Sequence, residues 1–267
     1  MVVVYSIVAC YGLVLGSFFN VLIYRIPLKK SIVRPASFCP ECKTPIKPWH
    51  NIPILGYLLL RGKCRSCGRP IPFIYPFIEL LTGCAAVAAW HFCVPSLESL
   101  TWHTAPLLIT RILFLLLLIA ISVIDLRHYI IPDVLTLPFT AMAAALSFIP
   151  GDITPLSMAL GVLAGGGVLF AIGFAGSAIL KKEAMGGGDI KLMAAAGALW
   201  GPQVALMGIL SGAIFGSVYG IAAIIAKKTD ATGHIPFGPF LAVGIWISVM
   251  FGDIILQSYM SFIGIAP

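Results

Sequence analysis

Charge is scarce in this chain. Of 267 residues, 10% are charged and 60% are apolar, and only 10 are acidic. Soluble proteins carry about 25% charged residues, so this composition excludes an ordinary water-soluble fold. A mean hydropathy of +1.03 points instead to a bilayer. The first 24 residues carry no charge at all. They lack the basic n-region of a secretory signal peptide and are expected to be a retained first span. The five histidines form no ligand set. His50, His128 and His234 are expected at an interface, with His91 and His103 on the opposite side of the membrane. No glycine-rich nucleotide fingerprint follows a strand. A net charge of +7 would suit nucleic acid, but the distribution of the basic residues gives it another use.

Uncharged runs with polar flanks place spans near 2–24, 72–94, 106–124, 131–149, 155–180, 190–200, 203–226 and 237–262. The expected fold is an all-α polytopic membrane protein with about eight transmembrane helices. Its parts are a first helix at 1–24, a cytoplasmic loop at 25–71 and a transmembrane core over 72–267. Eight spans put both termini on one side. The connections alternate between the two sides, and the side opposite the termini receives Arg25, Lys29, Lys30, Arg34, Lys43, Lys47, Arg61, Lys63, Arg65, Arg69, Arg127, Lys181, Lys182, Lys191, Lys227 and Lys228. The other side receives only Arg111. Sixteen of 17 cations on one side mark it as cytoplasmic. Arg111 lies 14 residues before Asp125, about 21 Å along a helix, and can reach the outer interface. The basic excess therefore reports orientation and attraction to anionic membrane lipid, not a nucleic-acid partner.

The loop at 25–71 contains Cys39-Pro-Glu-Cys42 and Cys64-Arg-Ser-Cys67, two CxxC pairs separated by 21 residues. A reducing cytoplasm disfavours disulfides. Two knuckles of two thiolates suit a tetrahedral structural zinc site, a staple for a loop too small to build its own core. A nucleic-acid-binding ribbon and a redox pair are alternatives. Cys10, Cys84 and Cys93 fall in or beside spans and are expected to be buried small apolar residues. Gly208, Gly212, Gly216 and Gly220 line one helix face, and Gly161 and Gly165 repeat the spacing; both sets read as helix packing.

Acids at a membrane margin are costly and mark function. Met185-Gly186-Gly187-Gly188-Asp189-Ile190-Lys191 and Ile121-Ser-Val-Ile-Asp125-Leu-Arg-His-Tyr-Ile-Ile-Pro132-Asp133 each put an aspartate at the cytoplasmic end of a span. The glycines would let the backbone bend sharply and approach another segment closely. Two carboxylates sharing one proton can divide the work of an aspartic protease, one as base on a water and the other polarising the scissile carbonyl. The same pair would equally serve a proton- or cation-coupled transporter. Asp133 also suits a helix cap.

The order Gly16-Ser-Phe-Phe-Asn20, Arg25-Ile-Pro27, the two CxxC pairs with Asn51-Ile-Pro53 and Arg61-Gly62-Lys63-Cys64 between them, and Tyr75-Pro76 with Glu79 resembles a bacterial prepilin peptidase. So do Asp125 through Asp133, Gly186–Lys191 and Pro236-Phe-Gly238-Pro239. The resemblance implies a GxGD aspartyl protease of the bacterial inner membrane with its active site facing the cytoplasm. It would cleave the basic leader from type IV prepilins or type II secretion pseudopilins. The catalytic aspartates would be Asp125 and Asp189, with Gly186, Gly187, Gly188, Asp133 and Lys191 as supporting residues. Many members also N-methylate the new amino terminus with S-adenosylmethionine, an activity the resemblance links to the cysteine loop and to Gly62-Lys63. Glu79 is expected to help recognise the substrate.

Overall fold

The computed structural model describes residues 2–181, 185–226 and 235–264. Lys182, Lys227, Lys228 and His234, placed above by charge and depth, lie outside the described residues. The described residues are helical, with two isolated β-bridges and no named strand. The chain forms two compact units, Met1–His91 and Phe92–Pro267.

The first unit begins with α1 (Val2–Arg25), whose 24 residues carry no charge before Arg25 in the last turn. At 1.5 Å per residue it is about 36 Å long, enough for a hydrocarbon core of about 30 Å. It packs against α3 (Ile74–Cys93). A Cβ on Gly12 would lie 2.6 Å from Ala86 Cβ, and one on Gly16 would lie 2.7 Å from Glu79 Cα. The two backbones therefore cross at a separation that a larger residue would prevent. Between them runs the polar loop, broken only by a 3-10 turn and the short α2 (Leu55–Leu59).

The second unit holds α4 (Ala105–His128), α5 (Asp133–Leu146), α6 (Pro155–Val162), α7 (Val168–Leu180), α8 (Gly187–Trp200), α9 (Pro202–Ile225) and α10 (Gly238–Phe262). A π-helical turn, Leu163–Gly167, joins α6 to α7 as one rod. α8 is the centre. It packs against α5, α6, α7, α9 and α10, and its Leu192, Met193 and run from Ala195 to Leu199 are buried. Gly161 meets the backbone of Gly197, and Gly165 meets the Met193 carbonyl. Gly208 and Gly212 face Ile245 and Leu241 of α10, and Gly216 faces Phe237. Both glycine stripes are thus packing surfaces.

Among the described residues six helices, not eight, are long and apolar enough to cross a membrane. The runs expected as spans at 131–149 and 190–200 form α5 and α8, each 14 residues. That is about 21 Å, short of the roughly 20 residues of a full crossing. They nevertheless connect the two polar ends of this unit. Arg111 Nε donates to Leu199 O at the C-terminal end of α8 (2.8 Å), and Arg111 Nη1 pairs with Asp152 beyond α5 (3.2 Å). Asp125, Asp133 and Asp189 occupy the other end. Cys10 and Cys84 are exposed on their helices and Cys93 is half-buried. A thiol is apolar enough for lipid to cover, so burial inside protein is unnecessary.

Candidate active site and metal site

α4 ends in an uncommon way. Tyr129 takes the left-handed conformation at φ 55°, and its amide donates to Asp125 O (2.8 Å), closing the helix one turn after Asp125. The chain then runs extended through Pro132 into α5, and Ile131 turns inward and is buried. Two segments converge on it. Gly188 packs against Ile131, as does Gly238 at the start of α10. This convergence places two helix N-termini beside the end of α4.

Asp125 is 5% exposed, and its Oδ2 accepts a hydrogen bond from the Gly238 amide at 2.9 Å. Asp189 stands in the first turn of α8, half-buried, with its amide bonded to Gly186 O at 3.2 Å. The two carboxylates are close enough for their charges to interact. Each sits where a helix N-terminus favours negative charge, an effect of about 0.3–1 kcal/mol at a surface and up to about 2 where partly buried. A hydrogen bond to a charged group adds about 1.5–3 kcal/mol. The Gly238 amide is therefore a major holder of Asp125.

The supporting residues separate into distinct roles. Lys191 Nζ reaches both oxygens of Asp133, at 2.8 and 2.7 Å, tying the first turn of α5 to that of α8. The side chains are 43% and 51% exposed, so the pair contributes at most about 1 kcal/mol. None of Gly186, Gly187 and Gly188 has a positive φ. None of the three therefore uses the left-handed conformation open to glycine. Gly188 allows close approach to Ile131, whereas Gly187 borders open space next to Asp189.

In the loop, two six-residue segments fold alike. Cys39 N donates to Thr44 O (3.0 Å) and Lys43 N to Cys39 O (2.9 Å); Cys64 N donates to Arg69 O (2.8 Å) and Gly68 N to Cys64 O (2.9 Å). The residue after each second cysteine, Lys43 or Gly68, has positive φ. The four sulfurs lie within 4.8 Å of one another, with Cys39–Cys67 at 3.9 Å and Cys42–Cys64 at 4.0 Å. A tetrahedral zinc with Zn–S of about 2.3 Å requires sulfurs about 3.8 Å apart, so the set fits zinc. Hydrogen bonding by the Thr44 side chain and backbone brings the Cys42 thiol down to about 6. The Cys67 and Ser66 backbone lowers Cys64. Cys67, although favoured by the Arg69 backbone, is pushed up to about 11 by burial and its cysteine neighbours. Four thiolates cannot gather here unless a cation offsets their repulsion.

Gly62 sits at φ +68°, its amide bonded to Tyr57 O and its carbonyl to the Ile71 amide. Lys63, exposed, bridges to Pro70 just before Cys64. Glu79 is 9% exposed, and its Oε2 accepts the Ile54 amide at 2.7 Å. It is thus an internal tie of the first unit, not a surface carboxylate awaiting a basic leader.

Residues 10–92 match the bacterial peptidase A24 N-terminal domain, and residues 112–221 match the type IV leader peptidase family. The chain is 34% identical to the prepilin leader peptidase/N-methyltransferase of Aeromonas hydrophila, over 96% of this chain and 94% of the relative. It is 36% identical to that of Bacillus subtilis, over 96% and 97%, and 34% identical to that of Pseudomonas aeruginosa, over 95% and 92%. No solved structure matches. The chain belongs to the type IV leader peptidase family. It is a multi-pass membrane peptidase, and its relatives are named for a second, N-methyltransferase, activity. A transporter finds no support among them.

Within this leader peptidase, three residues have roles that their side-chain chemistry does not announce, although Gly238 and Ile131 lie in stretches that carry the resemblance. Gly238 acts through its backbone amide, Ile131 is an ordinary apolar residue, and Thr44 has no ligand chemistry of its own. The proline pair flanking Gly238 was the available clue, since Pro marks the start of a helix and thus its free amides.

Proposed function

We propose that this protein cleaves the basic leader from type IV prepilins or type II secretion pseudopilins, with Asp125 and Asp189 as the catalytic pair. The observation that carries the reading is the meeting of two carboxylates, one held by the Gly238 amide, at one end of the helical unit. One carboxylate takes a proton from water as its oxygen attacks the scissile carbonyl. The other, protonated, donates to that carbonyl. The C–N bond then breaks, and the leaving amine takes up a proton. Gly238 N–H fixes one oxygen of Asp125, leaving the other for water or substrate. The open space beside Gly187 suits a substrate held in extended form next to Asp189.

The basic residues support an orientation with this end in the cytoplasm, where a prepilin presents its leader. The four cysteines bind one zinc, which ties the two knuckles together. S-adenosylmethionine, when bound by the unit that carries the cysteine loop and Gly62-Lys63, would supply an electrophilic methyl group for the new terminal amine. Purified protein in detergent should cleave a prepilin. Asp125→Asn and Asp189→Asn should each lower cleavage by on the order of 10²–10⁴-fold without altering thermal unfolding. Full activity in either variant would remove the pair from the mechanism.

A further inference from the structure

The first unit encloses a cavity of about 370 Å³ between α1, the start of α3 and the cysteine loop. Its size suits a small-molecule ligand rather than a few waters. Tyr24, Phe38, Tyr57 and Tyr75 line it and offer faces for a flat ring or a cation. At its buried end stand Asn20, 8% exposed, and Glu79, 9% exposed. Asn20 Nδ2 donates to Tyr75 O at 3.2 Å. Glu79 accepts the Ile54 amide on Oε2 and also interacts with the Ser17 hydroxyl, and a carboxylate has room for more than two donors. That contact holds Ile54 at φ 60°, ψ −51°, a conformation that persists in a β-branched residue only when its surroundings hold it. The buried Arg25 also borders the cavity, but it is committed to the carbonyls of Ser31 and Ala36. At the exposed edge are Lys47, Arg65 and Arg69.

The cavity thus has an acceptor-lined inner end, aromatic sides and a basic rim. A ligand that fits must carry a cation, a flat ring and a carboxylate. We propose that this cavity binds the methyl donor, an S-adenosyl sulfonium, with its cationic part toward Glu79 and Asn20 and its carboxylate toward the basic rim. The proposal rests on the methyltransferase reading above and adds the residues that hold the donor. It also gives Gly62 a physical role. A Cβ there would lie 2.9 Å from Tyr57 Oη, so a larger residue would shift a ring that lines the cavity. Gly62 is a positioning residue that sets the Tyr57 ring.

The test is equilibrium binding by calorimetry, using full-length zinc-loaded protein in detergent. The probes are S-adenosylmethionine and S-adenosylhomocysteine, which lacks the sulfonium charge. Wild type should bind both and prefer the sulfonium. Glu79→Gln should weaken S-adenosylmethionine roughly tenfold or more and narrow that preference, as expected for loss of one charge partner. Val21→Trp, which fills the cavity from α1, should abolish binding of both. Zinc content and prepilin cleavage report that each variant is folded, and Asp125→Asn should bind the donor as wild type does. Unchanged binding in Val21→Trp, or an unchanged preference in a folded Glu79→Gln, overturns this placement and leaves the methyltransferase reading standing. No binding to wild type overturns the methyltransferase reading itself.

Discussion

Asp125 owes its setting to neighbours without charge. The Gly238 amide lies 2.9 Å from its Oδ2, and a Cβ on Gly238 would lie 2.8 Å from the same oxygen. The φ of Gly238 is not positive, so alanine is conformationally allowed and the obstacles are the carboxylate and, less closely, the Ile131 side chain at 3.1 Å. Gly238→Ala should therefore displace Asp125 and lower kcat about 10²-fold, the cost typical of a displacement near 1 Å, with KM and the melting temperature little changed. Steady-state cleavage assays and thermal unfolding check this; wild-type kcat would count against Gly238 as the positioner. The two aspartates were legible in the sequence because a charge in an apolar surrounding is conspicuous. The part Gly238 plays was not, because a backbone donor has no side-chain signature even where its residue belongs to a recognisable stretch. The triple glycine suggests a bend and a close approach; the close approach occurs at Gly188 alone, and Gly187 stands beside open space. Spacing cannot distinguish these uses of glycine.

The two cysteine knuckles make the same element twice. In each, the first cysteine's amide bonds to the carbonyl five residues on, and the residue after the second cysteine adopts positive φ. Glycine serves that position in one knuckle and lysine in the other. About one zinc per chain is expected on metal analysis, with cobalt-substituted protein showing tetrahedral thiolate absorption. Cys39→Ser or Cys64→Ser should remove the metal, and acid should release it as protons compete for the sulfurs; metal-free wild type purified under reducing conditions would contradict the site. The CxxC spacing made this element readable in advance. The lengths of α5 and α8 were not. Hydropathy reports an apolar setting whatever the backbone does, so the run at 131–149 absorbed the extended Ile131-Pro132 and the segment after Leu146 into one apparent span. For α8, interior position keeps a short helix apolar on nearly every side, so it resembles the start of a span.

Across the whole molecule, α5 has one further consequence. It is 14 residues long, and Val134, Leu137 and Met142 are exposed along it. Its apolar face is therefore about 21 Å tall where a typical hydrocarbon core is about 30 Å. The long helices α4 and α10, with 24 and 25 residues, match a bilayer of ordinary thickness, so one protein presents two different heights to lipid. Matching the shorter face means thinning the bilayer locally or tilting the helix, at a fraction of a kcal/mol per Å. Cleavage rates in vesicles should rise as acyl chains shorten from 22 to about 14 carbons, a dependence of severalfold; equal rates across that series would show that lipid does not meet α5. The short helix thus gives the enzyme a preference for membrane thickness. It should gather, and work fastest, in those patches of its host membrane that are easiest to compress.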